Sequence, residues 1–155
     1  MKRVIPIALA AAIGLIAAGS GDDWQPTSAS AKRHAAGADA TKLKLKRSPY
    51  GRVLFANGYA MYVFTKDGRK SRCYADCAEA WPPLLKKGRI EAGRRVKRRL
   101  IGTVTRRDGS RQVTYKGKPL YGYVHDPRGE VLCHDVREFG GKWYAVLRSG
   151  ERAPT

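Results

Sequence analysis

The sequence predicts a mostly β domain built from two pseudo-repeated β-hairpin units, with one short helix carrying a C-x3-C pair. Three observations predict it. The stretch LFANGYAMYVFTKD, Leu54 to Asp67, aligns without gaps with VTYKGKPLYGYVHD, Val113 to Asp126. Glycine-centred turns separate runs rich in Val, Thr, Tyr and Phe. Ala- and Glu-containing CYADCAEAW, Cys73 to Trp81, stops at Pro82-Pro83, which reads as a helix of two turns.

The elements follow in chain order. Lys2 and Arg3 precede an uncharged apolar run, residues 4–18, that ends in small residues. It is short for a membrane span, which takes ~20 apolar residues. Residues 1–19 therefore read as a secretory signal peptide. Residues 20–48 read as a flexible basic linker, because they are small, polar and basic with no sustained apolar period. Within them KLKLK alternates over only two apolar positions, and an extended tether is expected there rather than a strand.

The repeat domain is expected over 49–148, with copies about 52–85 and 111–147, and 149–155 is expected to be a tail. Asn57-Gly58 is the strongest short hairpin signal, since both turn positions require positive φ. Lys116-Gly117 holds the same place in the second copy. Asp108-Gly109 marks a further hairpin that feeds into it. Each copy has the form G-x-x-[ML]-Y-x-[FY]-x-x-D. Tyr62 and Phe64 share one strand face, and so do Tyr121 and Tyr123, because strand side chains alternate. Each copy ends at a tryptophan, Trp81 or Trp143. These aromatics are expected to fill a small core rather than form a ligand platform. Asp67 and Asp126 are expected to cap turns through their side-chain oxygens.

The three cysteines admit alternatives. Export places thiols in an oxidising compartment, where a disulfide is the default. Cys73–Cys77 is the favoured local staple. On a regular helix the i, i+4 spacing is slightly too long for a bridge, so a short or frayed helix is required. Cys133 is the second-copy counterpart of Cys73, and a bridge from it across the copies is the rival. One cysteine of three must stay unpaired within the chain. No metal site is expected. The alternative is a copper or thiol-redox protein using Cys73, Cys77 and His134, since thiolates and imidazole suit copper(I). The chain has no C-x-x-C-H, no phosphate-loop signature, no H-E-x-x-H and no G-x-S-x-G.

The residues of YVFTKD (Tyr62 to Asp67), YGYVHD (Tyr121 to Asp126), SRCYADCAEAWPPL (Ser71 to Leu84) and the hairpin region Gly102 to Asp126 together resemble a family of predicted bacterial lipoproteins or secreted repeat proteins. The resemblance covers about 100 residues, Pro49 to Leu147. It implies an exported, often lipid-anchored envelope protein, and it implies no catalytic residues. Ser20 stands where the family's acylated cysteine would be, so export is expected here without the lipid anchor.

Lys and Arg number 31 against 13 Asp and Glu, a net charge of +18. The densest basic stretch comprises Lys86, Lys87, Arg89, Arg94, Arg95, Lys97, Arg98 and Arg99. In the cytosol it would suggest nucleic acid. Outside the membrane the available polyanions are lipid head groups and wall polymers. The functional expectation is a non-enzymatic envelope protein, peripheral or tethered, that docks on such an anionic surface, with no cofactor and no nucleic-acid partner.

Overall fold

The computed structural model describes residues 40–155, so the signal peptide and the first part of the expected linker lie outside the described residues. Ten strands, one α-helix and one 3-10 turn follow (Arg98–Leu100). The strands are β1 Thr41–Ser48, β2 Gly51–Ala56, β3 Tyr59–Ala60, β4 Tyr62–Phe64, β5 Ile90–Ala92, β6 Ile101–Thr105, β7 Arg111–Tyr115, β8 Lys118–Pro119, β9 Val136–Glu138 and β10 Gly141–Ala145. Helix α1 is Asp76–Ala80.

Three small sheets form, in the orders β3-β2-β1-β5, β4-β10-β9 and β6-β7-β8. The β2–β3 turn places Asn57 and Gly58 at φ 53° and 92°, and the β7–β8 turn places Lys116 and Gly117 at 51° and 73°. Both pairs are in the left-handed region that two-residue hairpins demand. Gly109, at φ 80°, closes the β6–β7 hairpin.

The structure differs from the sequence reading at three places. Thr41–Ser48 is a strand, not a tether, and it lies inside its sheet. It pairs antiparallel with β2 and parallel with β5. Two apolar positions suffice because pairing on both sides supplies the backbone bonds, while Leu43 is fully buried, Lys42 and Lys44 are exposed, and Lys46 reaches Gly129 O at 2.7 Å. Each copy consequently gains a strand. β1 precedes the first hairpin as β6 precedes the second, so both copies are three-stranded meanders followed by a Tyr-x-[FY] segment, which is strand β4 in the first copy and carries only isolated bridges at Tyr121 in the second.

Residues 149–155 are not a loose tail. Arg152 bridges to Val146, Ala153 donates its N–H to Ala145 O at 2.8 Å, and Ala153 is buried. The helix is a single turn and a half and does not contain Cys73. Ala75 sits at φ 49° and breaks the helical path before Asp76.

The copies do not fold side by side. Tyr62 and Tyr121 exchange backbone hydrogen bonds, N–H to carbonyl at 2.8 Å in one direction and 3.0 Å in the other. Such a reciprocal pair has a local two-fold axis at its centre. Around that axis the C-terminal strand of each copy completes the hairpin of the other. Val146 of copy two receives the Leu54 N–H at 2.8 Å and donates to Met61 O at 3.1 Å. Leu84 of copy one receives the Val113 N–H at 2.8 Å and donates to Leu120 O at 2.9 Å. Strand exchange buries the Met61–Phe64 segment on both faces. Tyr62 and Phe64 enter one apolar cluster, and Met61 and Val63 enter the other.

Candidate functional site

The residues of the repeated motif converge on the two-fold axis. Trp81 and Trp143 stack there with ring centroids 4.0 Å apart and planes 3° from parallel. Phe64 stacks on Trp143 at 4.2 Å, and Tyr123 packs on Trp81 at 4.5 Å. Tyr62 meets Trp81 edge-on and Tyr121 meets Trp143 edge-on, both at 5.2 Å. All six rings come from equivalent positions of the copies. Both tryptophans, Tyr62 and Tyr121 have no exposed surface, so these rings are core, as expected from their strand positions.

The motif aspartates also cross the axis. The Tyr62 hydroxyl donates to Asp126 Oδ2 at 2.6 Å, and the Tyr121 hydroxyl donates to Asp67 Oδ2 at 2.7 Å. Each carboxylate keeps its second oxygen for its own loop. Asp67 Oδ1 receives the Arg72 N–H at 2.8 Å, and Asp126 Oδ1 receives the Leu132 N–H at 3.3 Å. The turn-capping role expected of them is therefore present. The tyrosine-to-aspartate bond between copies is an addition that spacing does not reveal.

Burial pushes both carboxyls above their ordinary range, against the opposing pull of these hydrogen bonds. Burial first, and the facing carboxylate second for Tyr62, push both tyrosine hydroxyls well above theirs. A tyrosine with a raised folded-state pKa contributes stability that is complete below its unfolded value of about 10 and is lost as pH rises past it. Alkaline titration followed by ultraviolet absorbance is expected to show Tyr62 and Tyr121 ionising only together with unfolding. Free, reversible titration of all eight tyrosines near pH ~10 in folded protein would contradict this assignment.

The copies differ beneath this lock. In the first, Ser71 Oγ lies 2.7 Å from the Tyr121 hydroxyl and receives Arg106 Nη1 at 2.7 Å. Arg106 also reaches Gln112 Oε1 and Cys73 O, both at 2.8 Å. The second copy has buried Val131 near the corresponding place. Sequence reading missed Arg106 because it stands beside Arg107 in a polar turn, where either could equally face water. Nothing in the local pattern marks it as 5% exposed.

Cys73 and Cys77 form the disulfide, with Cα atoms 5.2 Å apart, and Cys133 is free. Cys73 lies before the helix, which removes the geometric objection to bridging i and i+4. Cys133 is half-buried, and burial pushes its thiol up, with Asp126 adding to the effect. His134 uses both ring nitrogens: Nδ1 receives the Ala145 N–H at 3.2 Å, so Nε2 carries the proton and donates to Pro154 O at 2.9 Å. The three residues of the copper alternative thus offer neither a thiolate pair nor a free imidazole nitrogen in this state. Among the described residues no three His, Cys, Asp or Glu side chains gather as a metal cluster.

The basic stretch 86–99 is anchored rather than loose. Ile90 and Ala92 of β5 pack against the second apolar cluster, and Val96 is buried in it. Lys86, Lys87, Arg89, Arg94, Arg95, Arg98 and Arg99 are exposed, and Lys97 is half-buried. Arg89 lies 3.9 Å from Glu91, the closest carboxylate contact in this stretch among the described residues.

Duplication, strand exchange and a core made from the motif itself define a two-repeat β protein of a single pseudo-symmetric body. The chain belongs to the family described as a secreted repeat of unknown function, whose model matches residues 45–85 and again 102–147. Those bounds take in the second half of β1 and all but the first residue of β6, so the matched copies extend beyond the hairpins on their N-terminal side. It is accordingly an exported repeat protein. No curated protein and no solved structure matches the chain. Among the described residues no helix is long and apolar enough to cross a membrane.

Proposed function

We propose that the protein is a non-enzymatic module that docks on an anionic surface of the cell envelope, peripherally or tethered. One observation carries the reading. The 86–99 stretch is fixed to the core by Ile90, Ala92 and Val96 while seven of its eight cations face water. Lys42 and Lys44, also exposed, lie on β1, the strand that β5 pairs with. Cations held on a sheet edge attract a charged surface without the ordering cost of a free tail.

Each Lys or Arg at an anionic lipid surface contributes about 1 kcal/mol, screened within a Debye length. The test is co-sedimentation of the exported chain with phosphatidylglycerol vesicles, and separately with a phosphate-rich wall polymer, at low and high salt. Salt-sensitive binding is expected. It should fall by about tenfold or more when Lys86, Lys87, Arg94, Arg95, Arg98 and Arg99 become Gln. Equal sedimentation of wild type and variant would end the reading.

A further inference from the structure

A second basic group lies outside the 86–99 run. A recess of about 490 Å³ is walled by Lys70, Arg72, Arg106 and Arg107, with Ser71 and Tyr74 between them. Its centre of interest is Arg106. The acceptors of its Nη atoms, the Ser71 hydroxyl, the Gln112 amide oxygen and the Cys73 carbonyl, are all neutral. Among the described residues its buried Nε finds no hydrogen-bond partner. The nearest carboxylate oxygen is Asp108 Oδ2, at 3.7 Å on an exposed turn, and the other oxygen of that carboxylate is taken by Ser110. A buried guanidinium whose one carboxylate contact is long and solvent-exposed is costly, and an anion beside it lowers that cost.

The rest of the recess suits that anion. The Arg106 and Arg107 guanidinium carbons lie 4.4 and 4.0 Å from the Tyr74 ring centroid, and the Tyr74 hydroxyl receives the Arg107 N–H at 3.1 Å. Both arginines are therefore held in place before any ligand arrives. Arg72 is positioned by its own N–H on Asp67. Among the described residues Lys70, Arg72 and Arg107 make no ion pair. Four cations line the recess and no carboxylate does, which leaves it strongly positive.

We propose that this recess binds a single tetrahedral oxyanion, a phosphate group carried free, on a polymer or on a lipid. Guanidinium groups in fixed positions recognise such oxygens by paired, charge-assisted hydrogen bonds. Arg106 is linked through Ser71 to the Tyr121–Asp67 bond, so occupancy also tightens the contact between the copies. None of the lining residues belongs to the 86–99 run, and the site does not depend on the surface-docking reading.

The test titrates the exported chain with inorganic phosphate and with glycerol 3-phosphate, following backbone amide shifts and thermal melting. Saturable shifts at Arg72, Tyr74 and Arg107 and a raised Tm are expected. The double variant Arg72→Gln/Arg107→Gln alters exposed side chains and keeps both backbone N–H bonds. It should melt like wild type without phosphate and bind about tenfold or more weakly. Absence of saturable shifts, or equal binding by the variant, overturns the proposal. Displacement of inorganic phosphate by phosphatidylglycerol vesicles assigns the site to lipid, and displacement by a soluble glycerol phosphate polymer assigns it to polymer. Displacement by neither assigns it to free phosphate. The 86–99 Gln variant should retain phosphate binding; if it loses it while Arg72→Gln/Arg107→Gln does not, the recess is excluded and the surface reading stands.

Discussion

Cut between Lys87 and Gly88, the chain is expected to give two fragments that are each unfolded alone and that recover the native fold when mixed. The first fragment keeps β1–β4, the helix and Leu84. It loses β10, whose Trp143, Tyr144 and Ala145 pair with Phe64, Val63 and Tyr62. It also loses Val146, which closes the hairpin at Leu54 and Met61. The second fragment loses Leu84 from the equivalent place between Val113 and Leu120. Each fragment exposes half of the stacked tryptophan pair and an unpaired tyrosine–aspartate partner. Chains of this length are marginal even with a complete core. The forecast loss for either fragment is therefore the whole folding free energy, about 5–15 kcal/mol. Near-ultraviolet circular dichroism reads it directly, since the tryptophan stack is asymmetric only when both copies are present. A cooperative melt from monomeric first fragment would refute strand exchange as the basis of the fold. A concentration-dependent homodimer of either fragment would support it, because the pseudo-symmetry lets a second copy stand in for the missing half.

This exchange marks where sequence reading stops. Alignment of Leu54–Asp67 with Val113–Asp126 shows that the copies are alike. It carries no information about which hairpin a given strand completes, because Leu84 and Val146 are equivalent and either pairing satisfies the same local pattern. The turns were legible, since Asn57-Gly58 and Lys116-Gly117 need positive φ whatever surrounds them. The six-ring core was legible for the same local reason: period-2 alternation puts Tyr62 with Phe64 and Tyr121 with Tyr123 on one face. β1 was not, because its second partner, β5, lies more than 40 residues away and contributes only Ile90, Glu91 and Ala92. Arg106 was hidden for a different reason. Its burial is set by Ser71, Cys73 and Gln112, which come from two copies, and no window around Arg106-Arg107 distinguishes the buried residue from the exposed one.

The tryptophan pair gives the other large effect, and its asymmetry is the sharper test. Trp81→Ala or Trp143→Ala removes a fully buried ring from a stack and leaves a cavity, at a cost of about 3–5 kcal/mol each. For a domain of this size that lowers Tm by roughly 10–30 °C. The double alanine variant should lose less than the sum, since each ring's partner is already gone. Phenylalanine substitutions separate the two sites. The Trp81 indole N–H donates to Glu138 Oε2 at 2.7 Å, whereas the buried Trp143 Nε1 has no hydrogen-bond partner among the described residues. Trp143→Phe keeps a stacked ring and removes an unmet donor. Trp81→Phe keeps the ring but strands the half-buried Glu138 carboxylate. Trp81→Phe is therefore expected to cost more than Trp143→Phe, by about 1–3 kcal/mol, in urea unfolding at neutral pH. Pseudo-symmetry alone predicts equal costs. Equal midpoints for the two phenylalanine variants would mean that the Glu138 bond contributes nothing, and a larger loss from Trp143→Phe would mean that its N–H is satisfied by a partner such as a buried water.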